Sequence, residues 1–184
     1  MQTRIVYIPG LGNKYNGFRK VALKAWQLYG VSATLVPLKW DDSDSFEQKL
    51  TLVEGVINQS GLDTRVVVVG ESAGATLALH VASLPKVYRV ITLCGVAQPS
   101  TPISPYLQKK SPALFQATRS LPRTNSYEVY SLRAAVDSVV GKTYSIATGA
   151  KAHTIWSIGH LFTIIICLTI AAPLMVAIAK KSKT

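Results

Sequence analysis

The five residues Gly70-Glu71-Ser72-Ala73-Gly74 are the part of the chain whose types and spacing point most directly to chemistry. They set a serine between two glycines, with Val66, Val67, Val68 and Val69 just before and an Ala- and Leu-rich stretch just after. Four β-branched apolar residues in succession predict a strand buried on both faces, as in a parallel sheet. Residues 75–82 predict a helix beginning at or just after Ser72. A serine at so sharp a strand-to-helix turn is pushed clear of the sheet with its hydroxyl exposed, and Gly70 and Gly74 let neighbouring backbone approach the turn. The amide of Ala73 falls at the helix N-terminus, where unpaired N–H groups and the dipole favour a developing oxyanion. The chemistry that fits is nucleophilic attack by Ser72. The competing reading is a turn of small residues with no chemistry, and the rest of the chain must decide between them.

The elements that must position this turn follow in the order β-α-β-α-β-α-β. Residues 4–8 form a short apolar strand that runs into Pro9-Gly10-Leu11-Gly12-Asn13, a glycine-rich loop suited to presenting a free backbone amide. Residues 14–29 carry Phe18, Val21, Ala22, Ala25, Trp26 and Tyr29 at helical spacing, and Gly30 is placed to close that helix. A strand is predicted over 31–38. Asp41, Asp42, Ser43 and Asp44 then read as turn and cap residues rather than metal ligands. The helix over 45–58 has Phe46, Leu50, Val53, Val56 and Ile57 on one face, and 87–93 is another apolar strand. This alternation predicts an α/β fold of three layers, with a mostly parallel central sheet and helices on both faces.

Residues 96–125 differ in character. They hold five prolines (Pro99, Pro102, Pro105, Pro112 and Pro122) and the basic Lys109, Lys110, Arg119 and Arg123, with no acidic residue. A connection this long, leaving a strand at the end of the sheet where ligands bind in open α/β folds, is expected to form a small cap, with a short helix within 107–119. Strands are predicted over 127–132 and 154–158, the second followed by Gly159-His160. Gly141-Lys142-Thr143 has the ending of a phosphate loop, but the glycine required five residues earlier is Val136.

Composition bounds the rest. A chain of 184 residues with 48% hydrophobic content predicts one domain with a core that needs neither metal nor disulfide, and excludes a disordered chain. Cys94 and Cys167 read as buried thiols, no Cys/His cluster has metal-ligand spacing, and no cofactor is expected. The net charge of +11 is carried by scattered basic residues without a nucleic-acid-binding motif. It therefore argues for a mild preference for anionic surfaces rather than for nucleic acid. The first strand starts too early for a secretory signal, so a cytoplasmic location is expected. Residues 161–179 carry no charge and precede Lys180, Lys181 and Lys183. Three readings stay open there: a buried last helix divided by Pro173, contact of 161–184 with a membrane surface, or a span, the last opposed by the position of the lysines.

Taken together, the motifs resemble the α/β-hydrolase superfamily, in its small form with little or no lid, similar to minimal bacterial lipases and esterases. The resemblance extends from Arg4 to about Ala172, leaving 173–184 as an apolar and then basic tail outside a 1–172 domain. It rests on the elbow glycines Gly70 and Gly74 around Ser72 and on the order serine, acid, histidine along the chain. By that resemblance Ser72 is the nucleophile, Asp137 in Asp-Ser-Val-Val the acid and His160 in Gly-His-Leu the base. Leu11 and Ala73 supply the backbone N–H groups of the oxyanion hole. Pro9 and Glu71 stand where many relatives have histidine, and neither departure removes a catalytic group. His153 competes with His160, but a base must sit in a loop above the serine rather than along a strand. His80 lies two helical turns past Ser72 and reads as packing. The implied activity is hydrolysis of a small-molecule or lipid-like ester. The alternative is a non-catalytic protein of the same fold that binds a partner or membrane through its basic loop and apolar C-terminus.

Overall fold

A computed structural model describes residues 2–61, 63–122 and 127–182. Arg123, Asn125 and Lys183, invoked above for the basic loop and tail, lie outside the described residues. Six strands form one parallel sheet in the order β2-β1-β3-β4-β5-β6: β1 Gln2–Ile8, β2 Ser32–Leu35, β3 Thr64–Glu71, β4 Val87–Leu93, β5 Val129–Val136 and β6 Lys151–Ile158. The chain leaves β1 for β2 on one side and returns to β3 on the other. The ends of β1 and β3 therefore flank the point where the winding reverses, and open α/β sheets bind their ligands in the crevice there. The elbow is at the end of β3 and the glycine-rich loop at the end of β1.

The strands are apolar on both faces because both are covered. Val6, Ile8, Val66 and Val68 join one core with α2 (Phe46–Asn58), α3 (Gly74–His80) and α5 (Pro112–Arg119). Ile5, Tyr7, Val67 and Val69 join the other with α1 (Asn16–Ala25), α6 (His160–Leu168) and α7 (Ala172–Lys180). Helix α2 starts at a capping box, in which the Ser45 hydroxyl accepts from the Gln48 amide and the Gln48 side chain accepts from the Ser45 amide. Asp41 accepts from Asn13, and Asp42 pairs with the buried Lys49, so the acidic run serves the turn and the helix behind it.

Several elements differ from expectation. The face of α1 turned inward is Arg19, Ala22 and Leu23, continued by Trp26, whereas Phe18, Val21 and Tyr29 are exposed. Strand β2 is shorter than 31–38. Residues 96–122 hold two helices, α4 (Pro105–Lys110) and α5, each with proline at its start. Lys109, Lys110 and Arg119 fall in last turns, where cations offset the helix dipole. Residues 173–180, read as tail, are helical, and Met175, Val176, Ile178 and Ala179 pack into the core. Among the described residues no single helix is long and apolar enough to cross a membrane; α6 and α7 meet at a 68° bend.

Helix α7 is fastened by charge as well as by packing. Arg89 is fully buried, pairs with Glu128 just before β5, and donates to the carbonyl of Ile178. Burial alone would raise the Glu128 carboxyl, but bonds from Lys151 and Arg89 outweigh it and hold it at about 2, below its ordinary 4.5. The folded value lies below the unfolded one, so the contribution is present above pH 4.5 and is lost as pH falls from there towards 2. Glu128→Gln is expected to flatten the loss of stability to urea across that window, by about 1–2 kcal/mol once solvent screening is allowed for. Identical acid profiles for the two proteins would remove the assignment.

Candidate active site

The elbow forms because small residues let three backbones meet. A Cβ at Gly70 would stand 2.6 Å from Ala75 Cα, and one at Gly74 would collide with the carbonyl oxygen of Ile8. Ser72 sits between them at φ 49°, a left-handed conformation that costs a side-chain-bearing residue roughly 1 kcal/mol or more. It is held there by its own amide, which donates to Leu93 at 2.9 Å, and by its carbonyl, which accepts from Val96 at 3.0 Å. The hydroxyl is thereby aimed away from the sheet.

Three side chains distant in sequence meet at this point. His160 is the first residue of α6, and its Nε2 lies 2.9 Å from Ser72 Oγ. Its Nδ1 lies 2.8 Å from Asp137 Oδ2, and the other carboxylate oxygen accepts the amides of Val139 at 2.8 Å and Val140 at 3.0 Å. An ionised carboxylate only accepts, so Nδ1 carries the proton and Nε2 is left to accept from the serine hydroxyl. The placement of His160 is fixed from below. The Gly159 amide donates to Val136, and Thr163, fully buried, donates to the Gly159 carbonyl and bonds Ser157 Oγ at 2.6 Å.

Leu11 and Ala73 flank Ser72 in one cavity wall, and among the described residues neither backbone N–H donates to the protein. A Cβ on Gly10 would stand 2.7 Å from Ser72 Cβ, which is how closely the loop after β1 crosses the elbow. Trp40 holds that loop by donating to the Pro9 carbonyl at 2.9 Å. The other histidines stand elsewhere. His80 bonds the Ala117 carbonyl at 3.0 Å and packs on Phe46, and burial lowers its pKa. His153 stacks on Tyr130 along β6.

Sequence reasoning missed the residues beneath the elbow. Glu71 is buried, as are Arg19 and Tyr7. The Arg19 guanidinium grips both carboxylate oxygens of Glu71, one through Nε at 2.8 Å, and Tyr7 donates its hydroxyl to the same carboxylate at 2.6 Å. Arg19 also donates to the Gly12 carbonyl at 3.0 Å and to Asn16 at 2.8 Å, so it joins the loop of Leu11 to the residue next to Ser72. Burial opposes the charge on Arg19, but its bonds to Glu71 prevail and raise its pKa; burial and then Glu71 raise Tyr7 well above the ordinary phenol. A usable signal exists in hindsight: 19, 22, 23 and 26 have helical spacing, and a carboxylate follows four buried valines. The fold also gathers Cys94, Asp137 and His160 with ligand atoms within 4.8 Å, which spacing along the chain does not reveal. Asp137 and His160 spend their facing atoms on each other, and burial, then Asp137, keeps the Cys94 thiol protonated. That donor set does not suit a metal.

Two cavities meet at Ser72. One, about 60 Å³, lies under the 96–122 segment and is lined by Val96, Ile103, Leu107 and Leu114 together with Leu11 and Ala73. The other, about 130 Å³, lies between α1 and α6 and includes His160, Tyr15, Leu161 and Ile164. A wider hollow of about 460 Å³ beside Gln98 and Arg119 touches none of Ser72, Asp137 and His160.

No protein-family model and no curated protein matches the chain. Among solved structures it is similar to the ydeN gene product of B. subtilis, at 16% identity over 98% of this chain and 100% of that one, with a TM-score of 0.70. It is similar to a pyrethroid hydrolase at 12% identity over 97% and 96%, TM-score 0.70. Mouse alpha/beta hydrolase domain-containing protein 10 aligns at 15% identity over 96% and 90%, TM-score 0.66. The chain has the α/β-hydrolase fold.

The ion pair under the elbow makes a double-substitution test. Arg19→Met alone leaves Glu71 charged and buried, and is expected to cost about 3–5 kcal/mol in urea denaturation. Adding Glu71→Leu is expected to recover part of that loss. Strictly additive losses would show that the two charges do not depend on each other.

Proposed function

We propose that the chain is a serine hydrolase cleaving carboxylic esters through an acyl-enzyme. What carries this reading is the unbroken series of contacts from Ser72 Oγ to His160 Nε2 at 2.9 Å and from His160 Nδ1 to Asp137 at 2.8 Å. Ser72 attacks the ester carbonyl carbon while its proton passes to His160 Nε2. The amides of Leu11 and Ala73 stabilise the oxyanion of the tetrahedral intermediate. His160 then gives its proton to the departing alkoxide as the C–O bond breaks. A water molecule, deprotonated by His160, attacks the acyl-Ser72 carbonyl, and the acid leaves as Ser72 regains the proton. Asp137 holds the imidazole in the tautomer this needs and stabilises the imidazolium. The esterase and hydrolase names borne by neighbours of the same fold agree with this chemistry.

A fluorophosphonate probe is expected to label the wild-type protein on Ser72 and to leave Ser72→Ala unlabelled. Ser72→Ala and His160→Ala are each expected to lower kcat on p-nitrophenyl acetate by about 10⁴ or more, and the double variant by no more than either alone, because the two groups act as a unit. Asp137→Asn is expected to lower kcat by a similar order with little change in KM. Labelling that survives Ser72→Ala would sink the assignment.

A further inference from the structure

The two cavities that meet at Ser72 are not equivalent, and the proton needed by the leaving group distinguishes them. His160 Nε2 is the group that must protonate the departing oxygen, so the alcohol half of an ester leaves on the His160 side. The oxyanion amides take the carbonyl oxygen, and the acyl half is left the direction away from His160. The cavity under the 96–122 segment, about 60 Å³, includes Ala73 and not His160 and has the buried Val96 and Leu114 in its wall, whereas Leu11 and Val139 line both cavities. The α1–α6 cavity holds His160 and does not end there. Tyr15, Leu161 and Ile164 are shared with a further cavity of about 80 Å³, lined also by Phe18, Ile165 and Leu168. The charged members of the trench, Arg19 and Glu71, neutralise one another, and apart from Ser72 and His160 the remaining wall is aliphatic and aromatic. From Leu161 to Leu168 the trench follows α6 for roughly 10 Å, the reach of a chain of about eight carbons.

Resting on the reading of Ser72 and His160 as nucleophile and base, we propose that the protein selects esters of a short acid with a long hydrophobic alcohol, the alcohol lying in the α1–α6 trench. The acid is confined by the small cavity, while each methylene buried in the trench strengthens binding about fourfold.

Two ester series test this, one of acetates with alcohols from ethyl to decyl and one of ethyl esters with acids from acetate to decanoate. The readout is kcat/KM, which reports acylation and so includes the leaving group. It is expected to rise at least tenfold from ethyl to octyl acetate and to fall for acids longer than butyrate. Ile165→Trp, which fills the far half of the trench, is expected to remove the gain along the alcohol series. Phe18→Ala, a change at a half-exposed outer wall, is expected to reduce it, and Leu28→Trp, on the open surface, to leave the series as in the wild type. A gain along the acid series that Ile165→Trp removes would assign the trench to the acyl half and overturn the proposal, as would two flat series from a protein that labels at Ser72. A wild-type protein that neither labels nor hydrolyses any ester would overturn the hydrolase reading, and this proposal with it.

Discussion

Everything at the active end of the sheet depends on a carboxylate that has no access to water. Glu71 is the last residue of β3 and is buried beside Ser72, where a lone charge would cost several kcal/mol or change its protonation. Arg19 from α1 and Tyr7 from β1 make it tolerable, and in doing so they tie three elements to one point. The same guanidinium reaches the carbonyl of Gly12, so the loop that carries the Leu11 amide is tied to the residue preceding the serine. A buried pair of this kind adds little net stability over an apolar substitute, but removing either partner strands the other charge, so each holds the other in place.

Rigidity under the turn is what allows strain in it. Ser72 keeps a left-handed backbone only because its amide, its carbonyl and the glycines around it leave no relaxed alternative. The parallel sheet contributes its winding: reversing between β1 and β3 brings the Gly10–Leu11 loop over the elbow without a long connection. Ala73 then caps a helix, and its amide, like that of Leu11 in the loop, has no acceptor among the described residues. Two donors converge from local chain geometry at two strand ends.

Much of this was legible in the sequence, for identifiable reasons. Four consecutive valines state a doubly covered strand, small residues around Ser72 state a turn, and the order of Ser72, Asp137 and His160 along the chain follows from which strands they terminate. The failures have a common cause. Periodicity assumes that buried means apolar, so it finds the buried Ala22 and Trp26 but passes over Arg19 and adds Phe18, Val21 and Tyr29, which are exposed. A paired charge deep in a protein looks, in sequence, like a charge on its surface. The approach of Cys94 to Asp137 and His160 was hidden for a different reason, since it joins the ends of separate strands and no local spacing encodes it.

The C-terminal run, whose uncharged length suits a membrane span, turns one side to the sheet face it covers and leaves Leu161, Phe162, Ile170 and Leu174 exposed on the other. At Thr169 the helix breaks, and α6 and α7 take different directions across the core, sharing it with α1, while Trp26 donates to the carbonyl of Leu168 at 2.9 Å. Thr163, Ile164, Cys167 and Leu168 are buried, and burial raises the Cys167 thiol to about 12. Because His160 is the first residue of α6, the packing of that helix is also what aims the imidazole. A helix shifted by one residue would turn His160 by about 100° away from Ser72, so the apolar fit of α6 against α1 and β6 governs the position of a polar group at its tip. The core and the site are therefore set by the same contacts.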